Sequence, residues 1–525
     1  MTQDQSDPPS APDSVPDTAP ATATTSAEEK VTFLDRTLNR LRRALDNAVN
    51  GTGGMLTKAK TDPALGKKAI DAVRAEIEDC ITAPGGEVTA RAQAAELGRY
   101  YLDLNEDGKA RFLTLIADEF GTDEDAVNSA VKAVSIAETR PARLNAEARL
   151  RQVLTPRRMA LLTQFNALPD GVKFLVDLRA DLLRIAGDNP NLSALDDDLK
   201  WLLSSWFDLG FLDLERITWD SPAALLEKLI AYEAVHRIES WSDLRNRLDS
   251  DRRCYALFHP RMPSEPLAFV EVALVRGMSD NVQALLDETA PLADPHDADA
   301  AIFYSISNTQ RGLKGVSFGE YLIKRVVAEL SRDFPRIKTF ATLSPVPGFR
   351  VWLEATLEKT PEVAKALPGM DKIKVHVGQN AGSKADNAKP LIALLSRSGW
   401  QKDEEARTLL EPALTTLLGL YFGDRRSDGK PIDPVARFHL RNGARLERFN
   451  WLGDTSAKGM RQAYGFMVNY RYKLDAIDAN HIAYQRDDEI VASRALRDLI
   501  RKGRNGHRGE GRRLRLRPAR NQDQE

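Results

Sequence analysis

The chain is 525 residues long, more than a single core usually serves, and its 42% hydrophobic and 29% charged content is ordinary for a folded protein in water. Lys plus Arg, 74, nearly cancels Asp plus Glu, 76, which excludes a global polycation built for nucleic acid or an anionic membrane. No apolar run is long enough to span a bilayer, and the only cysteines, Cys80 and Cys254, form no CxxC, which fits a reducing compartment without a disulfide framework.

Residues 1–29 carry six acids, five prolines and no Lys or Arg, so a disordered acidic tail is expected there. A secretory signal wants a basic start and an apolar core, and a mitochondrial leader wants arginines with few acids. Neither pattern is present, and the cytoplasm is the expected compartment. From 30 to 188 the apolar spacing is helical, as in Leu38, Leu41 and Leu45 or Leu161, Leu162 and Phe165. Breaks at Gly51 to Gly54, Pro84-Gly85-Gly86 and Pro169-Asp170-Gly171 punctuate a helical bundle, read as a scaffold or an oligomer interface. Asn189-Pro190 disfavours helix continuation and sets the expected boundary with a second domain over 189–500.

More helix is expected between Leu192 and Asp251, with Trp201, Trp206, Trp219 and Trp241 packing the junction between domains. Strand signals begin at Cys254 to Phe258 and continue from Pro266 to Val275. After residue 349 a polar loop is expected over 378–388, helix over 390–421, and late strands over 444–449 and 465–472. Residues 501–525 hold nine Lys/Arg against three acids, a net of +6, and read as a solvated, disordered basic tail.

The stretch 301–349 organises the second domain. Ile302 to Ile306 alternates as a strand, and Arg311-Gly312-Leu313-Lys314-Gly315 is a glycine loop. Phe318, Leu322, Ile323, Val326, Val327 and Leu330 then share one face of a helix. Phe340 to Leu343 follows as a second strand, with Ser344 at its exit. A helix start presents unpaired N–H groups and the positive end of its dipole, so this loop is a place for phosphate. It lacks the Gly-Lys-Ser/Thr of a P-loop and the GxGxxG of a dinucleotide site.

The loop resembles the pyrophosphate loop of GNAT-type acyl-CoA enzymes, Arg/Gln-x-x-Gly-x-Gly/Ala, with Lys314 in place of Arg/Gln and Ser317 in place of the first Gly. A plain surface turn is the competing reading. More widely, FYSISNTQRGLKGVSFGEYLIKRVV, TLSPVPGFRVWL, DPVARFHLRNGARL and VNYRYKL, in this order, resemble the malonyl-CoA decarboxylase family. The resemblance runs from about Asn189 to Tyr472, with a looser helical match upstream. It implies an N-terminal all-α helical domain, a GNAT-like α/β catalytic domain with a mixed central sheet, self-association through the helices, and malonyl-CoA as the substrate. On the matching positions it implies a CoA loop of Lys314, Gly315, Val316, Ser317, Phe318, Gly319 and Glu320, with Ser344, His439 and Tyr472 at the reacting end. Some animal-type members have a glutamate where Ser317 stands, and Glu320 is the candidate substitute.

The implied chemistry needs little machinery. Loss of CO2 from a malonyl thioester leaves a carbanion that the thioester carbonyl delocalises, so neither a metal nor an organic cofactor is expected. The protein must stabilise the enolate and return a proton, tasks for a hydroxyl donor and for an imidazole, which ordinarily titrates near neutral pH. The bland readings stand beside these: Ser344-Pro345 as the start of a turn, His439 and Tyr472 as core side chains. His236, His259, His296, His376, His481 and His507 show no metal-ligand spacing. Two other functions use the same loop, a GNAT-type acyl-CoA-dependent acyltransferase and a non-catalytic CoA-binding scaffold.

Overall fold

A computed structural model describes residues 40–43, 62–316, 318–378 and 388–505. The acidic stretch 1–29, Ser317, nearly all of the expected loop at 378–388 and the basic segment from 506 onward lie outside the described residues.

The first part is helical: α1 Lys67–Thr82, α2 Gly86–Asp103, α3 Glu106–Glu119, α4 Glu124–Ile136, α5 Arg140–Val153, α6 Arg158–Asn166, α7 Gly171–Ile185 and α8 Pro190–Trp206. Polar residues start several of them. Asn105, Asp123 and Thr139 accept from the free N–H groups of α3, α4 and α5, and Asn189 does the same for α8, with Pro190 in the first turn. The break at 187–190 is therefore a turn between two helices. α8 stays packed on α3 and α7, and the first strand begins only at Asp213.

Among the described residues, eight strands form one mixed sheet: β1 Asp213–Ile217, β2 Arg252–Phe258, β3 Ala268–Val275, β4 Ala300–Asn308, β5 Thr339–Thr342, β6 Ser344–Pro345, β7 Arg445–Asn450 and β8 Met467–Tyr472. Their order is β1-β2-β3-β4-β5-β8-β6, with β7 also on β8. β1 to β4 pair antiparallel, β4 and β5 parallel, and β8 antiparallel to β5, β6 and β7. All seven residues of β2 are buried, as suits a strand covered on both faces. β1 stands where the sequence predicts helix, because Asp-Leu-Glu-Arg-Ile on an exposed edge shows no apolar alternation.

Between β4 and β5 lies the loop helix, Gly319–Asp333, which buries Leu322, Ile323, Val326, Val327 and Leu330, the face its spacing indicates. The tryptophans differ from expectation. Trp201, Trp219 and Trp241 are 64%, 39% and 47% exposed. α8 turns Leu195, Leu199, Leu202 and Leu203 inward and Trp201 outward, while Trp219 and Trp241 pack edge to face with centroids 6.1 Å apart, and Arg245 covers Trp219. The last helix, Arg494–Asn505, carries regular structure past Arg501, where the sequence suggested a tail.

Candidate active site

β4 and β5 run parallel from Ala300↔Thr339 to Phe303↔Thr342, and the last bond between them joins Leu343 N–H to the Phe303 carbonyl. Beyond it β4 keeps pairing with β3 as far as Asn308, while the other strand turns onto β8, where Ser344 pairs with Val468. The two strands diverge at the carboxyl end of the parallel pair, where open α/β sheets place their ligands. Ser344 lies on one side of the divergence, and the glycine loop leaves the end of β4 on the other.

His439 reaches this edge from the short helix Pro434–Arg441, which Asp433 caps by accepting from Ala436 N–H at 2.6 Å. Tyr421 in turn donates to Asp433 at 3.0 Å. Burial pushes the Asp433 carboxyl up to about 6. The imidazole stacks on Tyr470, ring centroids 4.4 Å apart. Its Nε2 lies 3.0 Å from Ser344 Oγ and its Nδ1 lies 2.9 Å from the Tyr472 hydroxyl. Three residues far apart in sequence, Ser344, His439 and Tyr472, thus form one hydrogen-bonded row, all buried.

Thr342 completes the row, and sequence reasoning missed it. Ser344 donates to Thr342 Oγ1 at 2.8 Å, and Tyr470 N–H donates to the same oxygen at 3.2 Å. Asn469, fully buried, donates to the Thr342 carbonyl at 2.8 Å and holds the chain where β5 ends and β6 begins. A usable signal exists: Thr342 is two residues before Ser344, on the same face of an extended chain.

With its hydrogen directed to Thr342, Ser344 meets His439 with lone pairs, an arrangement that suits a hydrogen on Nε2 and an Nδ1 that accepts from Tyr472. Burial lowers the His439 pKa from 6.5 to about 3, so the ring is neutral in this state, contrary to the near-neutral titration expected for it. The arrangement is a buried chain of neutral donors and acceptors, which can pass a proton or, once Ser344 turns, donate to an oxyanion.

The glycine loop is held from the helical side. Arg179 on α7, 1% exposed, donates to the Gly312 and Lys314 carbonyls at 2.7 and 2.8 Å and pairs with Asp196 on α8 at 2.8 Å. A Cβ at Gly312 would overlap the Val176 carbonyl, so only glycine allows this approach. Two of the expected phosphate donors are engaged elsewhere: Lys314 N–H donates to the Arg311 carbonyl and Val316 N–H to Leu313, because the loop closes as tight turns. Gly315, at φ +86°, and the opening turn of the loop helix remain. Phe318 stands at that helix's N-cap without a capping side chain, and Gly319 and Glu320 begin its first turn. Ser317 lies outside the described residues. Nothing in the local sequence links Arg179 to this loop.

A family model described as the malonyl-CoA decarboxylase C-terminal domain matches residues 210–509, and one for the N-terminal domain matches residues 120–207. The chain is 38% identical over 423 residues to "Malonyl-CoA decarboxylase, mitochondrial" of Anser anser anser, covering 78% of this chain and 84% of that protein. It is 37% identical over 425 residues to the protein of the same name from Rattus norvegicus, covering 78% and 86%. Among solved structures it is similar to malonyl-CoA decarboxylase from Rhodopseudomonas palustris, with TM-score 0.73, 41% identity, and 82% of this chain and 99% of that one covered.

Proposed function

The chain belongs to the malonyl-CoA decarboxylase family and is a carboxy-lyase that converts malonyl-CoA to acetyl-CoA and CO2, and we propose that Ser344, His439 and Tyr472 carry its proton chemistry. The observation behind this is the imidazole of His439 bridging Ser344 Oγ and the Tyr472 hydroxyl where β4 and β5 diverge. CO2 leaves when the bond from Cα to the carboxylate breaks and its electron pair passes into the thioester carbonyl. The Ser344 hydroxyl turns from Thr342 toward Cα and gives up its proton. Nε2 of His439 replaces it while Tyr472 keeps donating to Nδ1, and a solvent proton returns to Nε2, which restores the starting state of the row. One CO2 leaves and one solvent proton enters. Because the three side chains are neutral and buried, they offer the departing carboxylate no cation to hold it and favour the step that disperses its charge. No metal or organic cofactor enters this scheme, since the substrate supplies its own electron sink.

The CoA diphosphate is proposed to rest on Gly315 N–H and the first turn of the loop helix. Incubation with malonyl-CoA in D2O, without an acceptor amine, tests the scheme. Acetyl-CoA and CO2 should form in equal amounts, with one solvent deuterium in the acetyl methyl group; dependence on an added amine would point to acyl transfer instead.

Self-association through the helical part is supported by α4 and α5, which together bury only Ala130 and leave Val131, Ile136 and Leu144 exposed. Cys80 and Cys254 are both buried and unpaired, which suits a reducing compartment, and the cytoplasm is the proposed one. Among the described residues no helix is long and apolar enough to cross a membrane.

A further inference from the structure

We infer that Lys200, on α8 of the helical part, binds a phosphate of the CoA substrate across the glycine loop; this rests on the CoA reading of that loop. A Cβ built on Gly315 would lie 3.1 Å from Lys200 Cε and 3.5 Å from its Nζ, so the ammonium group overhangs the residue whose N–H the loop leaves free. Among the described residues, the Lys200 side chain makes neither a hydrogen bond nor an ion pair, although it is half-buried. The acids that could neutralise it are engaged or turned away. Asp196, one turn back, pairs with Arg179, Asp198 pairs with Arg158 at 2.6 Å, and Asp197 forms no ion pair with it.

Arg311 and Lys314, both exposed on the loop, are likewise unpaired among the described residues. Lys200 over one free backbone N–H, with two more unpaired cations on the same loop, makes a positive focus that a phosphate would neutralise. The placement is not left to a flexible side chain alone. Arg179 joins the Gly312 and Lys314 carbonyls to Asp196, four residues before Lys200 on the same helix, so the loop and the lysine are held in fixed register. The helical part is thereby a piece of the CoA site, beyond any role in assembly.

The test compares the full-length protein with Lys200→Gln and Lys200→Arg on malonyl-CoA, malonyl-3′-dephospho-CoA and malonyl-pantetheine. With malonyl-CoA, Lys200→Gln should raise KM about tenfold, the size of one charge-assisted hydrogen bond in a partly solvated site, while kcat stays within about twofold. Lys200→Arg should recover most of the loss. With malonyl-pantetheine, which has no phosphate, the glutamine variant and the parent should be equal. A deficit that disappears on the dephospho substrate assigns the 3′-phosphate, and one that persists there assigns the diphosphate. An unchanged KM for malonyl-CoA, or an equal rise for malonyl-pantetheine, overturns the inference. Should the parent protein not turn over malonyl-CoA, the reaction assignment falls, and calorimetric titration of both proteins with CoA, dephospho-CoA and pantetheine decides the phosphate contact by the same comparison.

Discussion

Ser344 directs its hydroxyl hydrogen to Thr342 Oγ1, 2.8 Å away, and so meets His439 with a lone pair. The bond favours Nε2 as the ring nitrogen of His439 that carries the hydrogen, and makes a threonine on a buried strand part of the reacting row.

Thr342→Val removes the acceptor. Ser344 is then free to donate to His439, the tautomer reverses, and kcat should fall about fivefold, the equivalent of ~1 kcal/mol. Tyr470 N–H also loses its partner, which should cost about 1–3 kcal/mol of stability and lower Tm. Thr342→Ser, which keeps the oxygen, should restore most of both. Equal kcat in the valine and serine variants would separate Thr342 from the chemistry.

Gly315 has φ +86°, and a Cβ there approaches Lys200 Cε to 3.1 Å. Gly315→Val should therefore strain the loop and displace the lysine, raising KM for malonyl-CoA about tenfold while kcat holds. Calorimetry with CoA is the check, and undiminished affinity would remove the loop from the site.

Acid should destabilise the protein through His439. Its pKa is about 3 in the folded chain against an ordinary 6.5, so between these values the unfolded chain binds the extra proton. Stability is therefore complete above pH 6.5 and falls as pH drops toward 3, by up to about 1.4 kcal/mol per pH unit from this one group. In denaturant titrations at pH 4, 5, 6 and 7, His439→Gln should show a shallower loss than the parent. Parallel profiles would mean that the imidazole is not buried as a neutral ring.

The hairpin of α4 and α5 carries the proposed self-association. Ile136, 68% exposed, and Leu144, 52% exposed, lie on its surface. A double change, Ile136→Glu with Leu144→Glu, should shift the sedimentation coefficient toward that of the 58.3 kDa monomer without lowering Tm, because neither side chain belongs to the core. An unchanged coefficient would move the interface elsewhere.

The elements that bury regular apolar faces were legible in the sequence. β2, β3, β4, the loop helix and β8 stand close to where alternation or helical spacing put them. β1 was not, since five residues on an exposed edge are chosen for solubility and for pairing with Leu257 and its neighbours, which leaves no local pattern. The tryptophans misled because large rings are usually buried, whereas here Trp219 and Trp241 cover each other at the surface. Ser344, His439 and Tyr472 could be named from their sequence blocks, and the structure brings all three together. Thr342 looked like one more β-former, and Arg179 and Lys200 could not be connected to residues 312–315 without the fold. The acidity of His439 was misjudged because spacing does not report burial.

Rates of malonyl-CoA decarboxylation by Ser344→Ala, His439→Asn and the double variant, at saturating substrate and neutral pH, test the central claim most directly. Loss of one stabilising donor should lower kcat about 10²–10³-fold, and loss of the positioned imidazole about 10²–10⁴-fold. If serine and histidine act as one relay, the double variant should be about as slow as the slower single, with CoA affinity retained in all three. A double variant slowed by the product of the two single effects, or a His439→Asn variant with near-normal kcat, would contradict the relay.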